Sequence, residues 1–195
     1  MAKKYEISGV NLPSSFDKNI DTFASFLLSY NKTHNITGAK ERGSVHENVY
    51  DSIYPLQFLQ TSPKSAIDIG SGAGFPALIL ALAMPECDFT LYEPIAKKSS
   101  FLHMIKSEMS LSNVQIRTKR VEQDTPKVVE LITSRAVGDT SLMIKLSKGF
   151  YDKNTVMILY KGSRAQEESR TLKNVSLFSR EQRKYLFIKD LEDVS

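Results

Sequence analysis

The stretch that decides the fold reads Ala66-Ile67-Asp68-Ile69-Gly70-Ser71-Gly72-Ala73-Gly74-Phe75-Pro76. A short apolar run enters a cluster of three alternating glycines, and the helix-like segment 77–84 follows it. Glycines lack a Cβ, so they permit a tight turn and close approach of a ligand, while the next helix presents free N–H groups. The order strand, glycine loop, helix therefore predicts a ligand-binding turn.

The spacing of the glycines and two acidic residues indicate the ligand. The pattern at 70–74 is GxGxG and differs from the GxGxxG fingerprint of dinucleotide sites, so NAD is less favoured. Asp68, just before the loop, suits a ligand with an ammonium group. Glu93, at the end of the next predicted strand, is placed to accept hydrogen bonds from ribose hydroxyls. An amino-acid head and a ribose, with no demand for a pyrophosphate site, describe S-adenosylmethionine.

Helices and strands alternate around this motif. Apolar periodicity predicts helices over 14–30, 44–58, 77–84, 96–109 and 140–146. Strands are predicted over 66–69, 89–92, 114–117, 128–133 and 156–160, with late edge strands at Phe178 and 186–188 and partly irregular chain over 176–183. This alternation predicts an α/β, Rossmann-like fold with a doubly wound, mainly parallel sheet. We expect one domain over 1–195, divided into an N-terminal helical extension (1–62) and the Rossmann-like core (63–195).

Composition narrows the class of protein. The chain has 195 residues, 41% of them hydrophobic and 25% charged, as in a soluble globular domain. Its single cysteine, Cys87, cannot form an internal disulfide, and no Cys/His cluster has metal-ligand spacing, so we expect no metal and a reducing cytoplasm. The longest apolar run, 75–84, is far shorter than the ~18 residues of a membrane span.

Charge is distributed unevenly along the chain. Residues 1–95 hold 7 Lys/Arg against 10 Asp/Glu, and residues 96–195 hold 19 against 12, giving net charges of −3 and +7. Such asymmetry favours a basic surface for a polyanion, although ordinary solvated side chains are the simpler interpretation of charge alone. The candidates are Lys97, Lys98, Arg117, Lys119, Arg120, Lys161 and Arg164.

An ordered set of short motifs resembles one family, the RsmG (GidB) family of bacterial 16S ribosomal RNA methyltransferases. Besides the glycine loop, the set comprises Tyr30-Asn31-Lys32, Asn35-Ile36-Thr37, Asp51-Ser52-Ile53, Leu91-Tyr92-Glu93-Pro94, Lys97-Lys98, Phe101-Leu102, Arg120-Val121-Glu122, Thr133-Ser134-Arg135-Ala136 and Lys161-Gly162. The resemblance covers most of residues 25–168. It departs from the family where a histidine commonly stands three residues before Asp51, because this chain has Asn48 there, and the region after Lys161-Gly162 looks shortened.

The resemblance implies specific roles. Gly70 and Phe75 would contact S-adenosylmethionine, and Val121-Glu122 would lie on its adenine side. Arg135 would lie at the side of the pocket that faces the cofactor and the RNA. With Asp68, Gly72 and Glu93 from the glycine motif, these residues form the predicted cofactor site. The implied partner is 16S ribosomal RNA or the small ribosomal subunit, and we expect a monomer without membrane association.

The implied reaction is methylation of N7 of a guanine in the 530 loop of 16S rRNA. Guanine N7 is an unprotonated lone-pair acceptor, so the reaction needs alignment and no general base, and no catalytic base is assigned. Cys87 has no activating neighbour in the sequence, and no Asn/Asp-Pro-Pro-aromatic loop marks an amino-group target. The alternatives are a non-catalytic RNA-binding module on the same fold and an NAD-dependent oxidoreductase.

Overall fold

The computed structural model describes residues 4–135 and 137–191, so Ala136 of the family motif lies outside the described residues. Six helices are described: α1 (Phe16–His34), α2 (Arg42–Ile53), α3 (Ala77–Ala83), α4 (Ala96–Glu108), α5 (Thr140–Leu146) and α6 (Ala165–Thr171). The seven described strands are β1 (Ser65–Ile69), β2 (Asp88–Tyr92), β3 (Val114–Arg117), β4 (Leu131–Arg135), β5 (Val156–Lys161), β6 (Val175–Arg180) and β7 (Arg183–Ile188). Short 3₁₀ turns cover Tyr54–Phe58 and Val121–Gln123.

The strands form one sheet in the order β3-β2-β1-β4-β5-β7-β6. Strands β1 to β5 are parallel, and β7 is antiparallel to both β5 and β6. The order reverses between β1 and β4, where Asp68 pairs with Thr133. In open α/β sheets a crevice forms beyond the carboxyl ends of the strands at such a reversal. The doubly wound, mainly parallel sheet predicted from the alternation of elements is confirmed.

The N-terminal helices pack on the sheet through the same core as the glycine loop. Phe23 of α1 meets the ring of Phe75 edge-on, with ring centroids 5.4 Å apart, and lies 6.2 Å from Phe101 of α4. Every residue of α3 is buried, because α3 is covered by the sheet on one side and by α1 and α2 on the other. The division at residues 62 and 63 stays a prediction.

Two predicted boundaries are wrong for identifiable reasons. The second helix was expected to reach residue 58, but α2 ends at Ile53 and a 3₁₀ turn follows. Pro55 lacks an N–H and cannot continue the α-helical hydrogen bonding. The strand expected over 128–133 is β4, two to three residues later, because the parallel pairing with β1 begins at Leu131. Arg135 is therefore the last residue of the strand.

The C-terminal region is more regular than expected. The stretch 176–183 forms most of a β-hairpin, in which the pair Arg180 and Arg183 closes a two-residue turn at Glu181 and Gln182. Because β7 lies between β5 and β6, the expectation of two late edge strands is also wrong for β7. Phe178 stacks on Phe58 with ring centroids 3.9 Å apart, which attaches the outer strand to the core. Helix α6 was not predicted, because its sequence has no apolar stripe.

One buried amide organises the loop between α1 and α2. The Asn31 side chain accepts hydrogen bonds from the N–H groups of Ile36 (2.7 Å) and Thr37 (3.0 Å). It donates to the carbonyl oxygens of Thr37 and Ala39 at 3.0 and 3.2 Å. A single side chain thus replaces the missing helical partners of this turn.

We expect Asn31→Ala to lower the free energy of unfolding by about 2 to 4 kcal/mol, because it leaves several buried main-chain groups unpaired. Urea denaturation measures the change. Asn19→Ala, at a partly exposed position of α1, is the matched control and should have almost no effect. Equal stability of the two variants would contradict this account of the loop.

Candidate active site

The glycine loop is tied to the end of the neighbouring strand. The N–H groups of Gly70 and Ser71 both donate to the carbonyl oxygen of Tyr92, at 2.9 and 3.1 Å. Gly70 has φ +77°, and a Cβ added there would lie 2.4 Å from Cγ2 of Val137. Glycine is strongly favoured at this position, because a side chain would strain the backbone and displace Val137.

Gly72 faces open space. Its φ is +57°, and the nearest protein atom to an added Cβ would be the Gly70 carbonyl oxygen at 3.8 Å. Its N–H donates to Oε2 of Glu93 at 2.7 Å. The absence of a side chain at Gly72 therefore leaves space above the loop without exposing an unpaired N–H group.

Glu93 follows β2 directly and is 3% exposed. While Oε2 accepts from Gly72, Oε1 accepts from the N–H of Ile95 at 2.8 Å, just before α4. Each carboxylate oxygen can accept a further hydrogen bond. The carboxylate is thus held in one orientation with acceptor capacity for a ligand hydroxyl.

Asp68 is fully buried in β1 and incompletely paired. Its Oδ1 accepts from the Thr133 hydroxyl at 2.6 Å, but its buried Oδ2 has no hydrogen-bond partner. Burial raises the pKa of Asp68 to about 6, although the nearby Ser71 and Thr133 hydroxyls oppose the shift. A buried, unpaired carboxylate oxygen next to the glycine loop fits a cationic ligand group such as an ammonium.

The guanidinium group of Arg135 contacts three side chains. Its guanidinium carbon lies 5.0 Å from the ring centroid of Phe75, and Nη1 donates to Oδ1 of Asn48 at 3.0 Å. The same Nη1 lies 3.6 Å from Oδ2 of Asp51. Burial lowers the pKa of Arg135, and the nearby Asp51 carboxylate opposes that shift. Asn48, where the family commonly has histidine, therefore acts here as an uncharged acceptor for Arg135.

The remaining residues predicted to bind the cofactor differ in how exposed their side chains are. Val121 is buried in the 3₁₀ turn after β3, while Glu122 is exposed and lies 3.9 Å from Arg120. This turn is tied to the sheet because the Tyr92 hydroxyl donates to Asp124 at 3.1 Å. The Phe75 side chain lies in the core beside α1, so a direct contact with a cofactor would come from its main chain.

The structure also assembles polar residues that sequence reasoning did not assign to the site. Asp51 of α2 is 2% exposed and accepts a hydrogen bond from the Tyr185 hydroxyl at 2.7 Å. The Tyr160 hydroxyl donates to the carbonyl oxygen of Ser52 at 2.7 Å. The only sequence signal was an acid among the apolar positions of a helix, in a motif shared with the family.

Several basic residues expected at the cleft are committed elsewhere. The Nζ atom of Lys161 lies 2.9 Å from Glu168 and donates to the Gly138 carbonyl oxygen at 3.1 Å, so Lys161 braces the loop after β4. Lys119 pairs with Asp124 at 2.9 Å, and Arg117 lies 3.7 Å from the same carboxylate. Lys97 and Arg164 are exposed.

Cys87 lies just before β2, at the amino ends of the parallel strands, whereas the glycine loop lies at their carboxyl ends. It is 1% exposed, and burial raises the pKa of its thiol to about 12. The cysteine therefore cannot serve as a nucleophile at the site.

Across residues 4–135 and 137–191 no group of three or more His, Cys, Asp or Glu side chains has the arrangement of a metal site. Within the same ranges no helix combines the length and apolar character needed to cross a membrane.

Comparison with known proteins identifies the family. A family model described as rRNA small subunit methyltransferase G matches residues 17–193. Two relatives, both called Ribosomal RNA small subunit methyltransferase G, are those of Campylobacter fetus and Helicobacter hepaticus. The first is 42% identical over 94% of this chain and 100% of its own length. The second is 43% identical over 90% of this chain and 96% of its own length.

Solved structures share the fold at low sequence identity. A 16S rRNA N2 methyltransferase from T. thermophilus, in complex with AdoMet and guanosine, has a TM-score of 0.60 at 13% identity, covering 79% of this chain and 44% of that one. A SAM-dependent O-methyltransferase from Thermotoga maritima has a TM-score of 0.57 at 15% identity, covering 70% and 63% of the two chains. These structures confirm the predicted Rossmann-like fold. The family model and the relatives confirm the methyltransferase class and do not support an oxidoreductase. The chain belongs to the rRNA small subunit methyltransferase G family.

Proposed function

We propose that this enzyme transfers a methyl group from S-adenosylmethionine to N7 of a guanine in the 530 loop of 16S ribosomal RNA. The observation that carries the proposal is the convergence of Asp68, Gly72 and Glu93 where the strand order reverses, with Arg135 at the end of the adjoining strand. The expected substrate is the RNA itself or the small ribosomal subunit, and the enzyme is expected to act as a cytoplasmic monomer.

The cofactor site follows from the paired and unpaired groups around the loop. Oδ2 of Asp68 would accept a hydrogen bond from the ammonium group of S-adenosylmethionine. The Glu93 carboxylate would accept hydrogen bonds from its ribose hydroxyls. Gly72 leaves the loop open to the ligand, and Gly70 would contact the ligand through its main chain. Val121 and Glu122 would lie on the adenine side, and Phe75 would contribute a main-chain contact. When bound, S-adenosylmethionine supplies a sulfonium-activated methyl group.

The residues around the site suit a nucleophile that needs no activation. Guanine N7 carries a lone pair and no proton, so the protein's task is to hold the base in line with the methyl group. Arg135 is suited to this task because Phe75, Asn48 and Asp51 limit its freedom. Burial of Cys87 at the other sheet edge argues against methylation of a pyrimidine carbon through a cysteine adduct.

The names of the relatives support ribosomal RNA as the substrate class. The net charge of +7 over residues 96–195 agrees with a polyanionic partner, since phosphate contacts provide most of the affinity for nucleic acid. The contacts at Lys161 change one expectation, because this side chain supports the loop after β4 and is not free to bind a phosphate.

Gly72→Val should weaken S-adenosylmethionine binding by roughly ten- to hundredfold, because the side chain fills the open space and overpacking typically costs about 1 to 3 kcal/mol. Calorimetric titration measures the effect. Gly9→Val is the matched control, since Gly9 also has a positive φ (+72°) and no protein atom within 4 Å of an added Cβ. It carries the same kind of backbone strain away from the loop, so equal loss in both variants would place the cofactor elsewhere.

Cofactor affinity should also depend on pH through Asp68. The cation favours the carboxylate, whereas burial gives the free protein a pKa of about 6 at this residue. Below about pH 6, binding must first expel a proton, so affinity should fall by up to about tenfold for each pH unit and level off above about pH 7. Calorimetry across this range tests the sign. The Asp68→Asn variant should bind S-adenosylmethionine weakly and with little pH dependence. If that variant kept the wild-type pH profile, Asp68 would not be a cofactor contact.

The reaction is tested directly by methyl transfer. Small subunits and 16S rRNA from a strain lacking this enzyme should accept one labelled methyl group at a guanine of the 530 loop, mapped by cleavage at N7-modified guanines. Subunits from a strain with the enzyme are the control and should accept none. Binding of S-adenosylmethionine without any transfer to either substrate would favour the non-catalytic RNA-binding alternative.

A further inference from the structure

A second cleft opens beside Arg135, between α2 and the tip of the β6–β7 hairpin. Its volume is about 1090 Å³, and its walls include Glu47, Asn48 and Asp51 of α2 and residues 180–184 of the hairpin. Lys184 pairs with Lys161, the last residue of β5, so the hairpin tip reaches the carboxyl edge of the sheet. The cleft therefore adjoins the proposed methyl-transfer site.

Two basic residues of the hairpin, Arg180 and Lys184, already have polar partners. Arg180 lies 2.7 Å from Glu47 and 4.6 Å above the ring of Tyr50, and its side chain is 14% exposed. Lys184 donates to the Ser179 hydroxyl at 2.9 Å. The contacts of Arg180 hold the hairpin tip against α2, whereas the Lys184 hydrogen bond lies within the hairpin.

Arg183 differs from these residues. Its side chain is 52% exposed, and its Nε lies 3.9 Å from Oδ1 of Asp51, beyond hydrogen-bond distance. That oxygen already accepts the Tyr185 hydroxyl. The half-exposed guanidinium lines the cleft, where its N–H groups are open to a partner.

We propose that Arg183 contacts a phosphate of the RNA strand next to the methylated guanine. The inference rests on the proposed function and names a residue and a surface for its substrate. A guanidinium suits a phosphate because two parallel N–H groups match two phosphate oxygens. Such a contact positions the strand without reading its sequence.

Asp51 relates this contact to the cofactor side of the site. Its carboxylate lies 3.6 Å from Arg135 and 3.9 Å from Arg183, on opposite oxygens. One buried acid thus lies between the two arginines, each within 4 Å of one of its oxygens. A phosphate bound by Arg183 would place the adjoining nucleotide within reach of Arg135, where the target base is expected.

The test compares charge removal at the two ends of one strand. Arg183→Ala should weaken binding of a synthetic 530-loop RNA by roughly five- to thirtyfold, because it removes one half-exposed, charge-assisted phosphate contact. It should also reduce the slope of log affinity against log salt by about 0.7 to 0.9, since one fewer phosphate is neutralised. Fluorescence anisotropy at several salt concentrations measures both quantities. Arg183→Lys, which keeps the charge, should restore most of the salt slope.

Lys189→Ala is the matched control. Lys189 is exposed, follows β7 at the opposite edge of the sheet and donates to Gln60 at 2.9 Å. It should leave RNA affinity unchanged. All three variants should bind S-adenosylmethionine as wild type does, which also reports that they are folded, and KM for RNA should rise in Arg183→Ala with little change in kcat.

The inference is overturned if Arg183→Ala keeps the wild-type affinity and salt slope, or if Lys189→Ala loses as much as Arg183→Ala. These outcomes leave the proposed function intact provided that the wild-type enzyme methylates the RNA. Absence of methyl transfer by the wild-type enzyme would instead reject the proposed function.

Discussion

The glycine loop keeps its shape because the end of β2 accepts three of its N–H groups. Tyr92 accepts from Gly70 and Ser71, and Glu93 accepts from Gly72. A loop of glycines loses much conformational entropy on ordering, and these bonds offset that cost without adding side chains to the ligand space. The same acid that would hold the ribose therefore also maintains the loop that would receive the rest of the cofactor.

This dual role of Glu93 would make the two halves of the proposed cofactor site interdependent. A change at Glu93 would alter both a ligand acceptor and the position of Gly72, so its effect on binding would not measure one hydrogen bond. Asp68 behaves differently, because its unpaired Oδ2 has no structural partner in the described chain. Its burial keeps the carboxyl poorly solvated until a cation arrives, which explains why its pKa is raised.

The N-terminal helices complete the site. Phe23 of α1 supports Phe75, whose ring in turn lies under the Arg135 guanidinium. From α2, Asn48 and Asp51 contact the same arginine from another side. The helical extension is therefore required for the geometry at the end of β4, and the β6–β7 hairpin closes the opposite wall through Tyr185 and Asp51.

The sequence by itself determined the sheet class, the glycine loop and the two acids beside it. These features are local: a short apolar run, alternating glycines and acids at strand ends can be recognised from periodicity and spacing. The family motifs added Val121, Glu122 and Arg135. Local patterns were weakest at the hairpin, where Ser176 and Ser179 interrupt the apolar run, and in α6, which has no apolar stripe.

Tertiary structure decided which charges are available. Lys161 and Arg183 are both basic residues of the positively charged segment 96–195. In the structure Lys161 is paired with Glu168 of α6, while Arg183 remains half exposed. Likewise, Asp51 could not be assigned to Arg135 or Tyr185, which are more than 80 residues away along the chain. A residue's charge is a local property, but its pairing depends on which distant segments the fold brings within a few ångströms, and no local pattern records that distance.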